Sequence, residues 1–297
     1  MDFTTVTRAY AEARRRGLVE GRVGKGTYVK KRHARPSIPL RTGVVDMSMN
    51  LPPRFDDPDL EARMWRGIAS LEGAGGTDLL LRYQQAGGAL DDRAAGAVWL
   101  ADRLPGLAPE RVLVCPGAQG ALLAVVGQLA GQGDTICAET LTYPGIRSLA
   151  GHLRLRLAPV EIDGEGIVPE SFEAACRAAK PKALYCTPTL HNPTTATMSL
   201  ARREAIIAIA RAHGIPIIED DAYARLPTAP VAPLASFAPA LTFYLSGLAK
   251  CVGAGLRIAY LVTPDSRYAA RVTAALRTMA VMAPAPSIAI ATRWIGD

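Results

Sequence analysis

Lys250 closes the run Tyr244-Leu245-Ser246-Gly247-Leu248-Ala249-Lys250, among small or apolar neighbours. A lysine so placed either snorkels its ammonium to water or has a depressed pKa suited to forming a Schiff base. Arg257 follows seven residues later, in Gly253-Ala254-Gly255-Leu256-Arg257, spaced to return to the same place and pair with a phosphate. Three acids, Glu219-Asp220-Asp221, end an apolar run. They suit a cation, a protonated ring nitrogen, or simply the cap of a helix. Asn192, in Thr189-Leu190-His191-Asn192-Pro193-Thr194, reads as a turn residue or as an amide that donates to a ring oxygen. Gly117-Ala118-Gln119 opens a helix after an apolar run. Small residues there leave N–H groups free for a phosphate, although many strand–helix turns carry glycine. His191 has no metal partners in its neighbourhood and is read as a surface residue.

The elements that must position these residues alternate. Short apolar runs at 111–114, 134–138, 153–158, 182–186, 216–219, 241–245 and 258–262 read as strands. Helices are expected near 58–72, 88–103, 118–130, 143–150, 169–179, 199–213 and 265–282. Such alternation implies an α/β fold with a largely parallel seven-stranded sheet covered by helices on both faces. The last two strands are joined by about a dozen residues with no clear helix, which suits an antiparallel last strand. The candidate residues nearly all follow strands, at the sheet edge where open α/β folds bind ligands.

Composition narrows the classes. Of the 297 residues, 49% are apolar, enough for a sizeable core. The N-terminus lacks the basic start and apolar run of a signal peptide. The longest uncharged stretch, Thr278 to Thr292, is too short to span a bilayer and is interrupted by Pro284 and Pro286. Five scattered cysteines, with no C-x-x-C pair, argue for buried reduced thiols in a cytoplasmic protein and against a metal site. The net charge is +7, but residues 14 to 35 hold nine Lys/Arg and one acid, Glu20. That one segment carries the basic character; it reads either as a solvated linker or as a polyanion-binding surface. Before it, Val6, Ala9, Tyr10 and Ala13 share one helical face from Thr4 to Arg16. Residues 18 to 29 read as a two-stranded ribbon, and 30 to 41 as a basic linker with two prolines.

Phosphate turn, aromatic, amide, acid, tyrosine, lysine and arginine in this order resemble fold-type I pyridoxal 5'-phosphate (PLP) enzymes of the class I/II aminotransferase family, over residues 46 to 297. The resemblance implies PLP as cofactor and Lys250 as its Schiff-base lysine. It pairs Asp220 with the pyridinium nitrogen, and places Tyr223 and Asn192 on the ring oxygen. Tyr143, in Thr142-Tyr143-Pro144-Gly145, stacks on the ring. Ala118, Gln119 and Arg257 hold the phosphate, with Ser246 nearby. Tyr83, in Arg82-Tyr83-Gln84-Gln85, reaches a neighbouring subunit's phosphate, which implies a homodimer.

Thr5-Val6-Thr7-Arg8-Ala9-Tyr10 and Gly24-Lys25-Gly26-Thr27-Tyr28-Val29 resemble the recognition helix and wing of a GntR-type winged helix. With the second half, this is similar to the MocR group of transcription regulators. The division implied is a partial winged helix at 1–31, a linker at 32–45 and a PLP-binding large domain at 46–297. Thr5, Thr7, Arg8, Arg14, Arg15, Arg22 and Lys25 are the implied DNA contacts. An amino acid or related amine, or PLP itself, is the implied effector. The chain departs from the pattern in several places. The helices that precede a recognition helix and the small C-terminal domain are not seen, so the chain reads as a fragment. Gly247 stands where many relatives have a phosphate-binding serine, and Thr195 where an Asn-Pro-Thr-Gly motif has glycine. A working aminotransferase and an unrelated α/β protein are the competing readings.

Overall fold

The computed structural model describes residues 3–15, 19–22, 26–29, 49–52, 57–73 and 76–297. The expected linker at 32–45 and Lys25 lie outside the described residues, as does the side chain of Arg22. The chain divides into two compact units, residues 1–49 and 50–297.

In the first unit, helix α1 (Phe3–Arg15) leads to an antiparallel ribbon of β1 (Val19–Arg22) and β2 (Gly26–Val29). No residue of α1 is buried; Val6 and Tyr10 of the apolar stripe are 38% and 52% exposed. Helix and ribbon meet where the Arg14 guanidinium lies over Gly21, 3.1 Å from the position a Cβ would take.

The second unit holds seven strands: β3 (Val112–Cys115), β4 (Thr135–Glu139), β5 (Arg156–Val160), β6 (Leu184–Cys186), β7 (Ile217–Asp220), β8 (Thr242–Gly247) and β9 (Ala259–Val262). Their order across the sheet is β3-β9-β8-β7-β6-β4-β5. β8, β7, β6, β4 and β5 are parallel, while β9 runs antiparallel to both β8 and β3. The central strands are apolar on both faces because both are covered. On one face α4 (Gly117–Leu129), α5 (Pro144–His152) and α8 (Ser266–Ala280) pack against Phe243, Leu245 and Leu261. On the other, α6 (Pro169–Ala179) and α7 (Leu200–His213) cover Leu184 and Ile217. Beside them α3 (Leu90–Leu100) and α9 (Ala285–Ile295) cover Val112, Tyr244 and Tyr260.

Cap chemistry sets several boundaries. Asp57 accepts from the amides of Asp59 and Leu60 ahead of α2 (Pro58–Ala69), Ser199 caps α7, and Asp265 caps α8. Gly214 ends α7 in the left-handed region. Helix α9 corrects the sequence reading: Pro284 and Pro286 do not break a segment but start a helix. They occupy its N-cap and first turn, where a missing N–H costs nothing. Four cysteines are buried, Cys251 is partly buried, and all five are free.

Candidate functional site

The run Glu219-Asp220-Asp221 separates into three jobs. Glu219 accepts from the amides of Leu234 and Ala235, both at 2.9 Å, and lies 3.6 Å from Arg203. Asp221 accepts from Arg103 and from the Tyr244 hydroxyl, each at 2.9 Å, with no side-chain exposure. Asp220 ends β7 opposite Leu245 of β8. Its Oδ2 accepts from the Tyr185 hydroxyl at 2.9 Å, and its buried Oδ1 has no partner among the described residues. Burial pushes the Asp220 carboxyl up to about 6, with Asp221 and Glu139 adding to the rise and the Tyr185 hydroxyl and the Ala222 backbone amide opposing it.

Four carboxylates are buried among the described residues: Glu139, Glu219, Asp220 and Asp221. Three have a basic side chain within 3.7 Å: Glu139 has His191, Glu219 has Arg203 and Asp221 has Arg103. Asp220 has a tyrosine. A carboxylate left this way is harder to ionise than an ordinary one until a cationic donor arrives.

Lys250 lies on the turn Leu248–Lys250 beyond β8. Its Nζ donates to the Asn50 carbonyl at 2.6 Å. Partial burial lowers its pKa from the ordinary lysine range; Arg257 lowers it further, while Asp220 opposes. Tyr223, three residues past Asp220, receives a hydrogen bond from Asn50 Nδ2 at 3.0 Å. Tyr143 caps α5, with its ring folded over Gly145 so that a Cβ there would collide with it. Its pKa is raised by burial, by Asp220 and by Tyr223, and drawn down by Arg257. Tyr143, Asp220, Tyr223 and Arg257 therefore share one neighbourhood.

Gly117 and Arg257 converge at the start of α4. Gly117 has φ +75°, and a Cβ on it would lie 3.1 Å from Arg257 Nη2 and 3.2 Å from Cζ. Glycine is required twice, by the backbone angle and by the guanidinium above it. The first turn of this 13-residue helix offers unpaired amides and a positive pole beside that guanidinium. Ala118 packs against the core and faces Gly247. Gln119 turns its side chain to Gly145, donating to the carbonyl at 3.1 Å.

Asn192 is half-buried in a tight turn with a cis Asn192–Pro193 bond. In that turn the amide of Thr195 donates to the His191 carbonyl at 2.6 Å. Thr195 sits at φ +64°, a region that disfavours β-branched side chains, which explains why glycine suits this place better.

Two expectations change. His191 is not a surface residue: it is 2% exposed, its Nδ1 lies 2.8 Å from Thr194 Oγ1, and its Nε2 faces Glu139 at 3.7 Å. Its imidazole turns inward while Pro193, Thr194 and Thr195 of the same turn stay exposed, so its polar neighbours in sequence hid it. Ser246 is not brought to the phosphate turn. Side chains alternate along β8. Phe243 and Leu245 face α4, as Gly247 does, whereas Ser246 shares the opposite face with Tyr244. Tyr83 is 84% exposed and does not enter this chain's site. Tyr185 and Asn50 were missed. Tyr185 had a signal, a hydroxyl inside an apolar strand; Asn50 had none, being 200 positions from the lysine it meets.

In the first unit, Thr5, Thr7, Arg8, Arg14 and Arg15 are exposed on α1. The Thr7 hydroxyl donates to the Phe3 carbonyl at 3.0 Å, and Arg15 pairs with Glu12 at 2.6 Å.

The sequence profile of aminotransferase class I and II matches residues 44–296. The uncharacterised HTH-type transcriptional regulator YdeF of Bacillus subtilis (strain 168) is 28% identical over 268 residues, 89% of this chain and 57% of its own length. The HTH-type regulator TauR of Rhodobacter capsulatus is 32% identical over 164 residues, 52% of this chain and 32% of its own. The chain thus spans a little over half of YdeF and about a third of TauR. Among solved structures, LysN, an α-aminoadipate aminotransferase of Thermus thermophilus complexed with N-(5'-phosphopyridoxyl)-L-leucine, superposes with a TM-score of 0.76. It shares 24% identity, over 84% of this chain and 63% of its own. The fold of residues 50–297 is that of fold-type I PLP-dependent aminotransferases. No helix among the described residues is long and apolar enough to cross a membrane.

Proposed function

The chain belongs to the aminotransferase class I and II family, and from that premise we propose that residues 50–297 are the PLP-binding effector domain of a MocR-type transcription regulator. The observation that carries the cofactor is Asp220, the buried carboxylate with an unpartnered oxygen and a raised pKa. A pyridinium N–H is the donor it lacks, and the charge-assisted bond keeps that nitrogen protonated. Tyr223 and Asn192 would bond the ring oxygen, and Tyr143 would cover the ring. Arg257 and the opening amides of α4 would hold the phosphate. Lys250 would supply the amine for attachment; its lowered pKa leaves more of it neutral, and only the neutral amine is a nucleophile. When bound, PLP supplies an electron sink for an amine joined to it.

The regulator reading rests on the first unit and its likeness. The match to YdeF covers 89% of the chain, a share that residues 50–297 alone do not reach, so it runs into the residues before 50. DNA is the partner of that unit in the whole protein, and an amino acid or related amine is the effector of the second. A homodimer, with Tyr83 reaching across, and a cytoplasmic location complete the reading. The second reading is a working aminotransferase. It is favoured by the retention of Lys250, Asp220 and Tyr223 together at one sheet edge.

Borohydride reduction of the PLP-loaded protein, followed by peptide mapping, tests the assignment. The pyridoxyl group is expected on Lys250, and Lys250→Ala is expected to lose covalent label while keeping some reversible binding. Label on another lysine overturns the site. Rapid conversion of a panel of amino acids to oxo acids would put the enzyme reading first.

A further inference from the structure

Asn50 is the first residue of the second unit, and it touches two members of the candidate site at once. Its carbonyl accepts from Lys250 Nζ at 2.6 Å, and its side-chain amide donates to the Tyr223 hydroxyl at 3.0 Å. A tyrosine hydroxyl has one hydrogen to give. With Asn50 donating into its oxygen, Tyr223 keeps that hydrogen for another acceptor. The carbonyl contact is of the stronger kind, because its donor is an ammonium. Asn50 is otherwise poorly anchored: it is exposed, and its neighbours Met49 and Leu51 are 67% and 68% exposed.

We infer that Asn50 is a positioning residue that holds the unattached site, and that covalent attachment at Lys250 releases it. The inference rests on the reading that PLP attaches there. When the neutral amine of Lys250 condenses with the cofactor's aldehyde, one C=N bond forms, the C=O bond breaks and one water leaves. The nitrogen then carries at most one hydrogen in place of three, and that hydrogen is held by the cofactor's own ring oxygen. The Asn50 carbonyl loses its donor. The site would thereby control the stretch of chain leading back toward residues 1–49. It does so by a hydrogen bond that exists only when the lysine is free, which is the sense of coupling a regulator needs.

The test is the mobility of the backbone at Met49, Asn50 and Leu51, read as 15N order parameters by NMR in the full chain. Wild type is compared without PLP and after loading and borohydride reduction. The order parameters are expected to fall on loading from about 0.85 to below about 0.6. Simple coverage by a ligand would raise them. Lys250→Ala should be mobile at 49–51 with or without PLP. Lys250→Arg keeps a cationic donor but cannot attach, so it should restore order and hold it when PLP is added. If PLP labels Lys250 and the mobility of 49–51 is unchanged or reduced, the coupling is wrong and the cofactor reading stands. If Lys250→Ala leaves this backbone ordered, the tie itself is wrong. If no label forms on Lys250, the cofactor reading fails first.

Discussion

Residues 3–29 and residues 50–297 treat charge in opposite ways. On α1, Arg8, Arg14 and Arg15 are exposed and no residue is buried. In the second unit Arg103, Arg203, Glu139, Glu219, Asp220 and Asp221 are all taken out of water. A charge at the surface adds little to folding but shapes a long-range field. A charge in the core must have a partner, or it destabilises the fold that encloses it. The difference teaches where to look for function in each unit: in the first, the summed surface; in the second, the buried carboxylate whose partner is missing.

The largest expected effect comes from breaking a satisfied pair. Asp221→Ala strands the Arg103 guanidinium and should cost about 3–5 kcal/mol of stability, measured by urea unfolding. A loss below about 1 kcal/mol would mean that buried pairing is not what separates the two units. Asp220→Ala should act on the cofactor instead. The charge-assisted bond proposed between it and the pyridinium would be worth about 1.5–3 kcal/mol, so PLP affinity should fall roughly tenfold or more in a fluorescence titration. Equal loss of affinity in Asp221→Ala variants that remain folded would erase the distinction between these neighbours.

The third test uses pH. Asp220 is raised to about 6 in the folded protein, above the ordinary carboxyl range. Below the unfolded pKa both states are protonated and no penalty exists. As pH rises through about 4 to 6 the unfolded chain ionises first, and folded stability falls. Asp220→Asn should therefore leave cofactor-free stability at about pH 4 unchanged and raise it at about pH 8 by about 1–3 kcal/mol. A variant less stable than wild type under the alkaline condition would show that the charged form already has its partner. The smallest effect on folding is expected in the first unit. Arg8→Ala with Arg14→Ala should change stability by less than about 0.5 kcal/mol. The same pair should lower the slope of log DNA affinity against log salt by about 1 to 2. An unchanged slope would remove these arginines from the DNA surface.

Much of this was readable because the second unit's elements are local. All seven strands of the sheet lie within a few residues of their expected places, since each is a short apolar run between turns. The antiparallel β9 followed from connection length alone. What failed depended on facing and on distance. Ser246 and Gly247 are adjacent, so composition could not show which one faces α4. The choice of Asp220 over Asp221 rested on resemblance, and the geometry that separates them is a buried arginine 118 positions away. Asn50 carries no local pattern at all. His191 reads as solvated because the sequence around it is that of a turn, and one side chain turned inward from an exposed turn leaves no trace in period.

Because β9 runs against its neighbours, Arg257 stands just before its strand and Lys250 just after β8, at the same edge of the sheet. The chain between them is thus a spacer of fixed length. An extra residue inserted between Lys250 and Arg257 would change the separation of amine and guanidinium without disturbing either strand. An extra residue at Gly164, in the small hairpin of Ile162–Asp163 and Gly166–Ile167, would lengthen a loop that positions none of the candidate site residues. Tolerance to insertion should therefore be steeply uneven along this fold. Variation in the length of the 251–256 segment would be a sharper sign of lost cofactor chemistry than substitution at many of the positions around it.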